Sequence, residues 1–333
     1  MKKSLLALSI LLSTSVMADY KIIMSGKSSN ITIPEQPAPQ FSGHTFTSCG
    51  QTGKFGPSLS QCQSAYSGDE ILENEFNFSI SNGIQSWTVP QSGTYVFEIA
   101  APSLHQSYSS GRGSIIKSTV NLNAGEIVKI VVGQRGVGSW PVTEGATINS
   151  NDGLGGAGGS FVYTGSIGGS GLIGAAGGGN VNCNPTNLNS CPGGANDGER
   201  GDLIYNEYIP SGTGTGWLSS HGKSLVSYDQ NGNVWSGSPS NVQGGQRFLG
   251  GNESDCNTSS CDIQVGGFGG GGGAGNDNIG GSGGYTGGAN AANNAYSGEG
   301  YPGASSPVSA TRSESVVFTG SNSGKGYVKV SVQ

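Results

Sequence analysis

The sequence has little charge, few histidines and no long apolar run. Only 11% of its 333 residues are Asp, Glu, Lys or Arg, and three are histidine. The net charge is −6, and the basic residues are not clustered. Because phosphate binding needs clustered Lys and Arg, nucleic acid is excluded as a predicted partner. No stretch reaches the ~20 apolar residues of a transmembrane helix. The sequence therefore predicts a soluble or surface-associated chain whose polarity comes from Gly, Ser and Asn.

The chain begins with the features of a secretory signal. Lys2 and Lys3 precede an apolar run over residues 5–12, and small residues lead to a cleavage point after Ala18. Residues 1–18 are therefore predicted to be a signal peptide, and the mature chain is expected to be secreted, at the cell surface or in the periplasm. Without the two lysines, 13 basic residues remain against 21 acidic ones, a net charge near −8.

The six cysteines fall into three pairs that are close in sequence. In an oxidising compartment this spacing favours three local disulfides, although six cysteines allow many other pairings. Zinc is the alternative, but three histidines and the absence of a CxxC motif make it the less economical hypothesis. The predicted pairs are Cys49 with Cys62, Cys183 with Cys191, and Cys256 with Cys261.

Short runs of alternating polarity predict an all-β fold. In residues 94–100, Tyr, Phe and Ile alternate with Thr, Val and Glu, the pattern of a strand buried on one face. With residues 83–90 before it and a Gln-Ser-Gly turn between, this run predicts a β-hairpin. One short helix is predicted over residues 58–66. The other predicted strands are residues 114–122, 126–132, 160–164, 171–175 and 326–332.

Two segments are saturated with glycine: residues 153–179 hold 13 glycines and residues 266–288 hold 14. Glycine loses more conformational entropy on ordering than any other residue, so disorder is the default for such segments. The ordered alternative is a set of extended left-handed polyglycine helices, similar to polyproline II, that pack through N–H and Cα–H contacts with carbonyls. Apolar side chains inside the segments, such as Phe161 and Phe268, favour the ordered alternative because a flexible linker has no use for them.

The run from His44 to Tyr66, HTFTSCGQTGKFGPSLSQCQSAY, resembles the start of the glycine-rich extracellular region of the anaplastic lymphoma kinase and leukocyte tyrosine kinase receptors. Further similar segments follow in the same order, so the resemblance covers residues 41 to 333. It implies a tumour-necrosis-factor-like β-sandwich (jelly roll) with inserted polyglycine helices that serves as a ligand-recognising module. There is no kinase region, so receptor signalling is not implied. The further segments are residues 83–90, 130–136, 173–179, 222–225, 266–273, 285–294 and 324–330.

These features divide the chain into three predicted parts. Residues 1–18 are the signal peptide, and residues 19–45 are a polar, proline-containing extended lead-in. Residues 46–333 form a glycine-rich, receptor-like β-sandwich domain, with polyglycine insertions near 153–179 and 266–288.

Candidate ligand-binding residues come from the resemblance and from the tryptophans. The receptors engage basic ligands through acidic residues, and Glu299 lies in the analogous Ser-Gly-Glu-Gly stretch. Trp140, Trp217 and Trp235 lie among polar residues and are candidates to face a ligand, as aromatic side chains do on carbohydrate-binding surfaces. Anchoring of loops is the other role, and the sequence favours it over ligand contact. Trp87, inside a predicted strand, is expected to fill the core.

The sequence indicates neither a metal site nor catalysis. Asp277 lies in a segment that matches a calcium-binding nonapeptide, but a single copy cannot stack to complete the coordination, so a polar turn is the simpler interpretation. Dinucleotide-binding and nucleophile-elbow patterns arise by chance in glycine-rich segments. No grouping of catalytic side chains and no cofactor motif is present.

We therefore expect a secreted or cell-surface, non-enzymatic recognition or adhesion module that binds a protein or glycan ligand. The alternative is a structural protein of the extracellular matrix or envelope without a specific ligand, which the uncharged Gly, Ser and Asn surface favours. The oligomeric state is left open.

Overall fold

Two compact units are formed by residues 1–40 and by residues 41–333. In the first unit, β1 (Ile23–Met24) pairs antiparallel with β2 (Lys27–Ser28). The computed structural model describes residues 23–24, 27–28, 41–69, 77–104, 111–137, 154–180, 215–217, 248–251, 265–273, 280–285, 312–313 and 315–333.

The second unit is a sandwich of two antiparallel sheets, which confirms the predicted all-β class. Its strands are β3 (Gly43–Thr47), β4 (Phe78–Ser81), β5 (Ile84–Thr88), β6 (Gly93–Ala100), β7 (Gly113–Leu122), β8 (Ile127–Val131), β9 (Ser160–Thr164), β10 (Leu172–Ala176), β11 (Ser315–Asn322) and β12 (Tyr327–Val332). The front sheet has the five-strand order β11-β7-β6-β12-β3, and the back sheet has the five-strand order β10-β9-β8-β5-β4. Every pairing within them is antiparallel.

The two sheets bury one shared core. Along β6, Tyr95, Phe97 and Ile99 are fully buried, whereas the residues between them are half-buried. This is the period-two pattern of a strand with one face in the core. Trp87 projects from β5 of the back sheet, and its ring lies 5.7 Å from that of Tyr95 and 5.0 Å from that of Phe41. Trp87 therefore fills the core, as predicted.

The predicted hairpin between residues 83–90 and 94–100 is wrong. β5 pairs with β4 and β8 in the back sheet, whereas β6 pairs with β7 and β12 in the front sheet. The connection crosses the sandwich: Val89 N–H donates to the Glu126 carbonyl at 2.9 Å, and Gly125 N–H donates to the Val89 carbonyl at 2.8 Å. Alternation shows that a strand buries one face, but it does not tell whether the next strand lies beside it or across the core.

In the second unit the other predicted strands form, and three strands were not predicted. β9 and β10 make a hairpin, and β12 lies inside the front sheet between β6 and β3. The missed strands are β3, β4 and β11. β4 has only four residues, with the sequence FSIS, and β3 begins at Gly43 within the segment that the sequence assigns to the lead-in. Short strands of this kind leave too few positions for a period-two pattern to be recognised.

The one helix of the described residues, α1 (Leu59–Ala65), begins with a capping box. The Ser58 hydroxyl accepts from the Gln61 N–H, and the Gln61 side chain accepts from the Ser58 N–H at 2.8 Å. The helix carries the fully buried Cys62, which forms a disulfide with Cys49. The first predicted cysteine pair is thus confirmed. The remaining cysteines, Cys183, Cys191, Cys256 and Cys261, lie outside the described residues.

Over the described residues, no helix is both long and apolar enough to cross a membrane.

Candidate functional site

Glycine-rich segments cover the outer face of the back sheet at β9 and β10. We call them the glycine layer. Phe161 and Tyr163 point outward from β9 and are fully buried, and they pack against Trp217, Phe248 and Phe268 of the glycine layer. β9 and β10 are therefore buried on both faces, whereas the outward residues of β4 and Ile127 of β8 stay exposed. The glycine layer consists of residues 133–137, 154–159, 177–180, 215–217, 248–251, 265–273 and 280–285.

The segments of the glycine layer are joined by backbone hydrogen bonds between residues far apart in sequence. Gly158 N–H donates to the Gln134 carbonyl, and Gly159 N–H donates to the Gly269 carbonyl, both at 2.9 Å. Gly283 N–H donates to Ala157 at 2.8 Å. The two glycine-rich segments of the sequence thus come together in one ordered array over the described residues. That they wind as polyglycine helices stays a prediction.

At many glycines of the glycine layer, neighbouring backbone leaves no room for a side chain. A Cβ added to Gly133 would lie 2.5 Å from the carbonyl oxygen of Gly158, and one added to Gly178 would lie 2.6 Å from that of Ala157. Ordinary Cβ contacts fall at 3.4–4 Å. Because the obstructing atoms belong to the backbone, no rotamer change can relieve the clash. Close approach of main chains, rather than an unusual φ angle, is what requires glycine at these two positions.

Trp217, a candidate ligand contact, lies inside the glycine layer. It is 3% exposed, and its ring is 5.1 Å from that of Tyr163. Its backbone N–H donates to the Gly284 carbonyl at 3.2 Å. This placement matches the loop-anchoring role that the sequence favours, and a role in ligand binding stays a prediction. The other candidates, Trp140, Trp235, Glu299 and Asp277, lie outside the described residues.

The outer face of the front sheet, in contrast, is exposed, and we call it the front face. One residue from each of its strands forms a row in register: Val317 lies beside Lys117, Lys117 beside Glu98, Glu98 beside Lys329, and Lys329 beside Thr45. Val317 is 55% exposed, and both lysines and Thr45 are exposed. Cross-strand neighbours of this kind have Cβ atoms about 5 Å apart, so the row forms one continuous surface.

Glu98 is the electrostatic centre of the front face. Its Oε2 lies 3.3 Å from Lys117 Nζ, and its Oε1 accepts a hydrogen bond from the Tyr327 hydroxyl at 2.9 Å. Burial, the hydrogen bond to Glu98 and the charge of Glu98 raise the pKa of Tyr327 to about 12. Tyr327 therefore stays neutral near pH 7 and donates to the carboxylate. Lys329, opposite Glu98, has no ion-pair partner among the residues that the structure describes.

A second polar group lies beside the helix, at the edge strand β3. His44 Nδ1 is 2.7 Å from Asp69 Oδ2, and the ring packs edge-on against Phe46 and Tyr66, with centroids 4.6 Å away in each case. The side chain of His44 is only 8% exposed. Desolvation by burial lowers the pKa of His44, and Asp69 partly offsets this effect. The Tyr66 hydroxyl donates a hydrogen bond to Gln85 Oε1 at 2.8 Å.

The buried His44–Asp69 pair predicts a pH dependence of stability. Because the fold lowers the pKa of His44 below its ordinary value of 6.5, the unfolded chain binds a proton that the folded chain resists. The free energy of unfolding is therefore expected to fall as the pH decreases below about 6.5. Replacing Asp69 with asparagine removes the carboxylate that raises the pKa of His44, so the loss of stability at low pH should be larger. Urea unfolding of both proteins at a series of pH values measures the free energy of unfolding and its pH dependence.

His44→Gln is the control, since it removes the titrating group and should flatten the dependence between about pH 7 and 5.5. An unchanged pH dependence in this variant would contradict the assignment to His44.

The described residues bring together no cluster of three or more His, Cys, Asp or Glu side chains that could hold a metal ion.

No family model matches this chain. A stretch of 100 residues is 30% identical to the leukocyte tyrosine kinase receptor of Mus musculus. The stretch covers 29% of this chain and 11% of the receptor, so the chain matches about a tenth of that protein's length. The similarity supports a distant relation to part of that receptor, in line with the resemblance in the sequence motifs.

The residues of the front face were not predicted as site residues. The alternation within residues 94–100 and 326–332 indicates that Glu98, Tyr327 and Lys329 point away from the core. However, these strands are more than two hundred residues apart, and only the insertion of β12 beside β6 makes the three residues neighbours. An outward-facing position could be predicted, but not the surface that several such positions form.

Proposed function

We propose that this chain is a secreted or cell-surface recognition and adhesion module without enzymatic activity, and that it binds a protein or glycan ligand on its front face. The observation that carries the proposal is the asymmetry of the sandwich. The glycine layer buries the outer face of β9 and β10 in the back sheet, while the front face is exposed and has charged and hydroxyl side chains in register. Side chains on paired strands are held more rigidly than those on loops, which suits a binding surface.

Two further observations support the proposal. The Cys49–Cys62 disulfide fits an oxidising environment outside the cytoplasm. The distant relation to a receptor favours recognition over catalysis.

A ligand array tests the proposal. The purified protein should bind saturably to one class of immobilised proteins or glycans, and the double charge reversal Lys117→Glu/Lys329→Glu should weaken this binding. Lys54→Glu is a matched control. Lys54 lies beside the glycine layer, since its carbonyl accepts from Gly250 N–H at 3.1 Å, and the change should leave binding intact.

The alternative of a structural matrix protein predicts a different outcome. Light scattering would then show self-assembly that grows with protein concentration, and no arrayed ligand would saturate. Turnover of any member of a hydrolase substrate panel would contradict the non-enzymatic part of the proposal.

A further inference from the structure

We infer that the ligand of the front face is an acidic polysaccharide. The inference rests on the proposed function and names the chemical class of the ligand. It follows from the charge of the front face, from the spacing of its lysines and from the side chains that surround them.

The charge of the front face is opposite to that of the whole chain. The chain has 21 acidic against 15 basic residues. On the front face, Lys117 and Lys329 are exposed and Glu98 is the one carboxylate among the described residues. Two more exposed cations, Arg112 and Lys325, lie at one end of the same sheet. Screening confines attraction between exposed charges to about 8–10 Å at physiological salt, so a bound polymer responds to this local positive charge rather than to the net charge.

These two end cations are held close to the sheet. Arg112 immediately precedes β7, whose first residue, Gly113, pairs with Asn322 of β11. The Asn322 side-chain amide donates to the Lys325 carbonyl at 2.7 Å. The backbone of both cations therefore lies at the strand ends that border the front face.

The spacing of the lysines suits an extended polyanion. Lys117 and Lys329 lie on the two strands that flank Glu98, so they are separated by two strand spacings, about 10 Å. The Glu98 carboxylate is engaged by Lys117 and by the Tyr327 hydroxyl, and among the described residues it forms no ion pair with Lys329. An extended chain that lies across the strands can therefore place one carboxylate at each lysine.

The remainder of the front face favours a sugar over a protein or a lipid surface. Protein interfaces have an apolar or aromatic core, and membrane-binding surfaces need apolar anchors. Among the described residues, Val317 is the one large, strongly exposed hydrophobic side chain on this face. Hydroxyl and amide groups, which can hydrogen-bond sugar hydroxyls, surround the lysines instead. They belong to Thr45, Thr94, Thr119, Asn121, Thr319 and Ser331.

The experiment measures binding of the full chain to polygalacturonate, with dextran as a neutral polysaccharide, poly-L-glutamate as an acidic peptide and phosphatidylglycerol vesicles as an anionic lipid surface. We expect saturable binding to polygalacturonate that weakens as salt is added. Lys117→Ala/Lys329→Ala should weaken it about tenfold, since each exposed ion pair contributes modestly. Lys54→Ala should bind like the unchanged chain. Thermal unfolding of each variant verifies the fold.

Each of the remaining outcomes contradicts one part of the proposal. Equal binding of dextran, or preferential binding of poly-L-glutamate or vesicles, overturns the ligand class and leaves the proposed recognition function standing. Polygalacturonate binding that is insensitive to both lysines overturns the site. No binding to any of these probes overturns the ligand class, and no binding across the protein and glycan array as well overturns the proposed function.

Discussion

Replacing Gly158 with alanine is expected to lower the free energy of unfolding by about 3 kcal/mol or more. A Cβ at this position would lie 2.5 Å from the carbonyl carbon of Phe268 and 2.9 Å from the Cα of Gly269, with the Phe268 carbonyl oxygen closer still. All these atoms are backbone, so the clash is relieved only by moving a segment of the glycine layer. That movement would also strain the Gly158 N–H hydrogen bond to Gln134. Guanidinium unfolding followed by circular dichroism measures the loss.

Gly93→Ala is the matched control. A Cβ on Gly93, in β6, would meet Tyr95 Cε2 and Val332 Cγ1 at 4.0 Å, an ordinary contact. Its unfolding free energy should change by no more than about 0.5 kcal/mol. Equal stability of the two alanine variants would mean that the glycine layer tolerates side chains, and the close packing of main chains would lose its support. Limited proteolysis of the Gly158 variant locates the damage, because cleavage should appear first in residues 153–179 and 266–288.

Removing the Cys49–Cys62 disulfide is expected to cost about 3 kcal/mol. The bond closes a loop with a sequence separation of 13 residues and joins α1 to the segment after β3. It restricts the unfolded chain, and in the folded chain it holds the fully buried Cys62 in the core. The double variant Cys49→Ala/Cys62→Ala should therefore unfold at a clearly lower denaturant concentration than the unchanged protein.

Reductant provides the control for this experiment. Treating the unchanged protein with dithiothreitol should lower its stability, and the double variant should respond less because its Cys49–Cys62 bond is already absent. If the double variant loses further stability in reductant, bonds among Cys183, Cys191, Cys256 and Cys261 also contribute. Stability of the unchanged protein that does not respond to reductant would contradict a stabilising role of Cys49–Cys62.

Much of the local structure could be predicted because its causes are local. The capping box of Ser58 and Gln61 marks the start of α1, and alternation in residues 94–100 identifies the buried positions of β6. The short separation of Cys49 and Cys62 points to their pairing. Each of these features depends on residues within one or two turns or one strand, where spacing along the chain sets spacing in space.

The candidate site was less accessible to prediction. Trp217 was selected because polar residues surround it in the sequence, yet the fold buries it against Tyr163. Lys117 and Lys329 were not selected, although they are exposed in one row with Glu98. Polarity along the chain does not report what covers a side chain, since the covering atoms come from distant segments.

The sequence by itself determined the all-β class, the residues that enter the core, the short helix and the local disulfide, because each depends on periodicity or on neighbours along the chain. Only the tertiary structure decided that β5 and β6 belong to different sheets and that the glycine segments lie on the back sheet. Strand partners are set by packing between distant segments. A glycine has no side chain, so the sequence around it does not indicate which backbone segment it will contact. The exposed front face follows from those non-local choices.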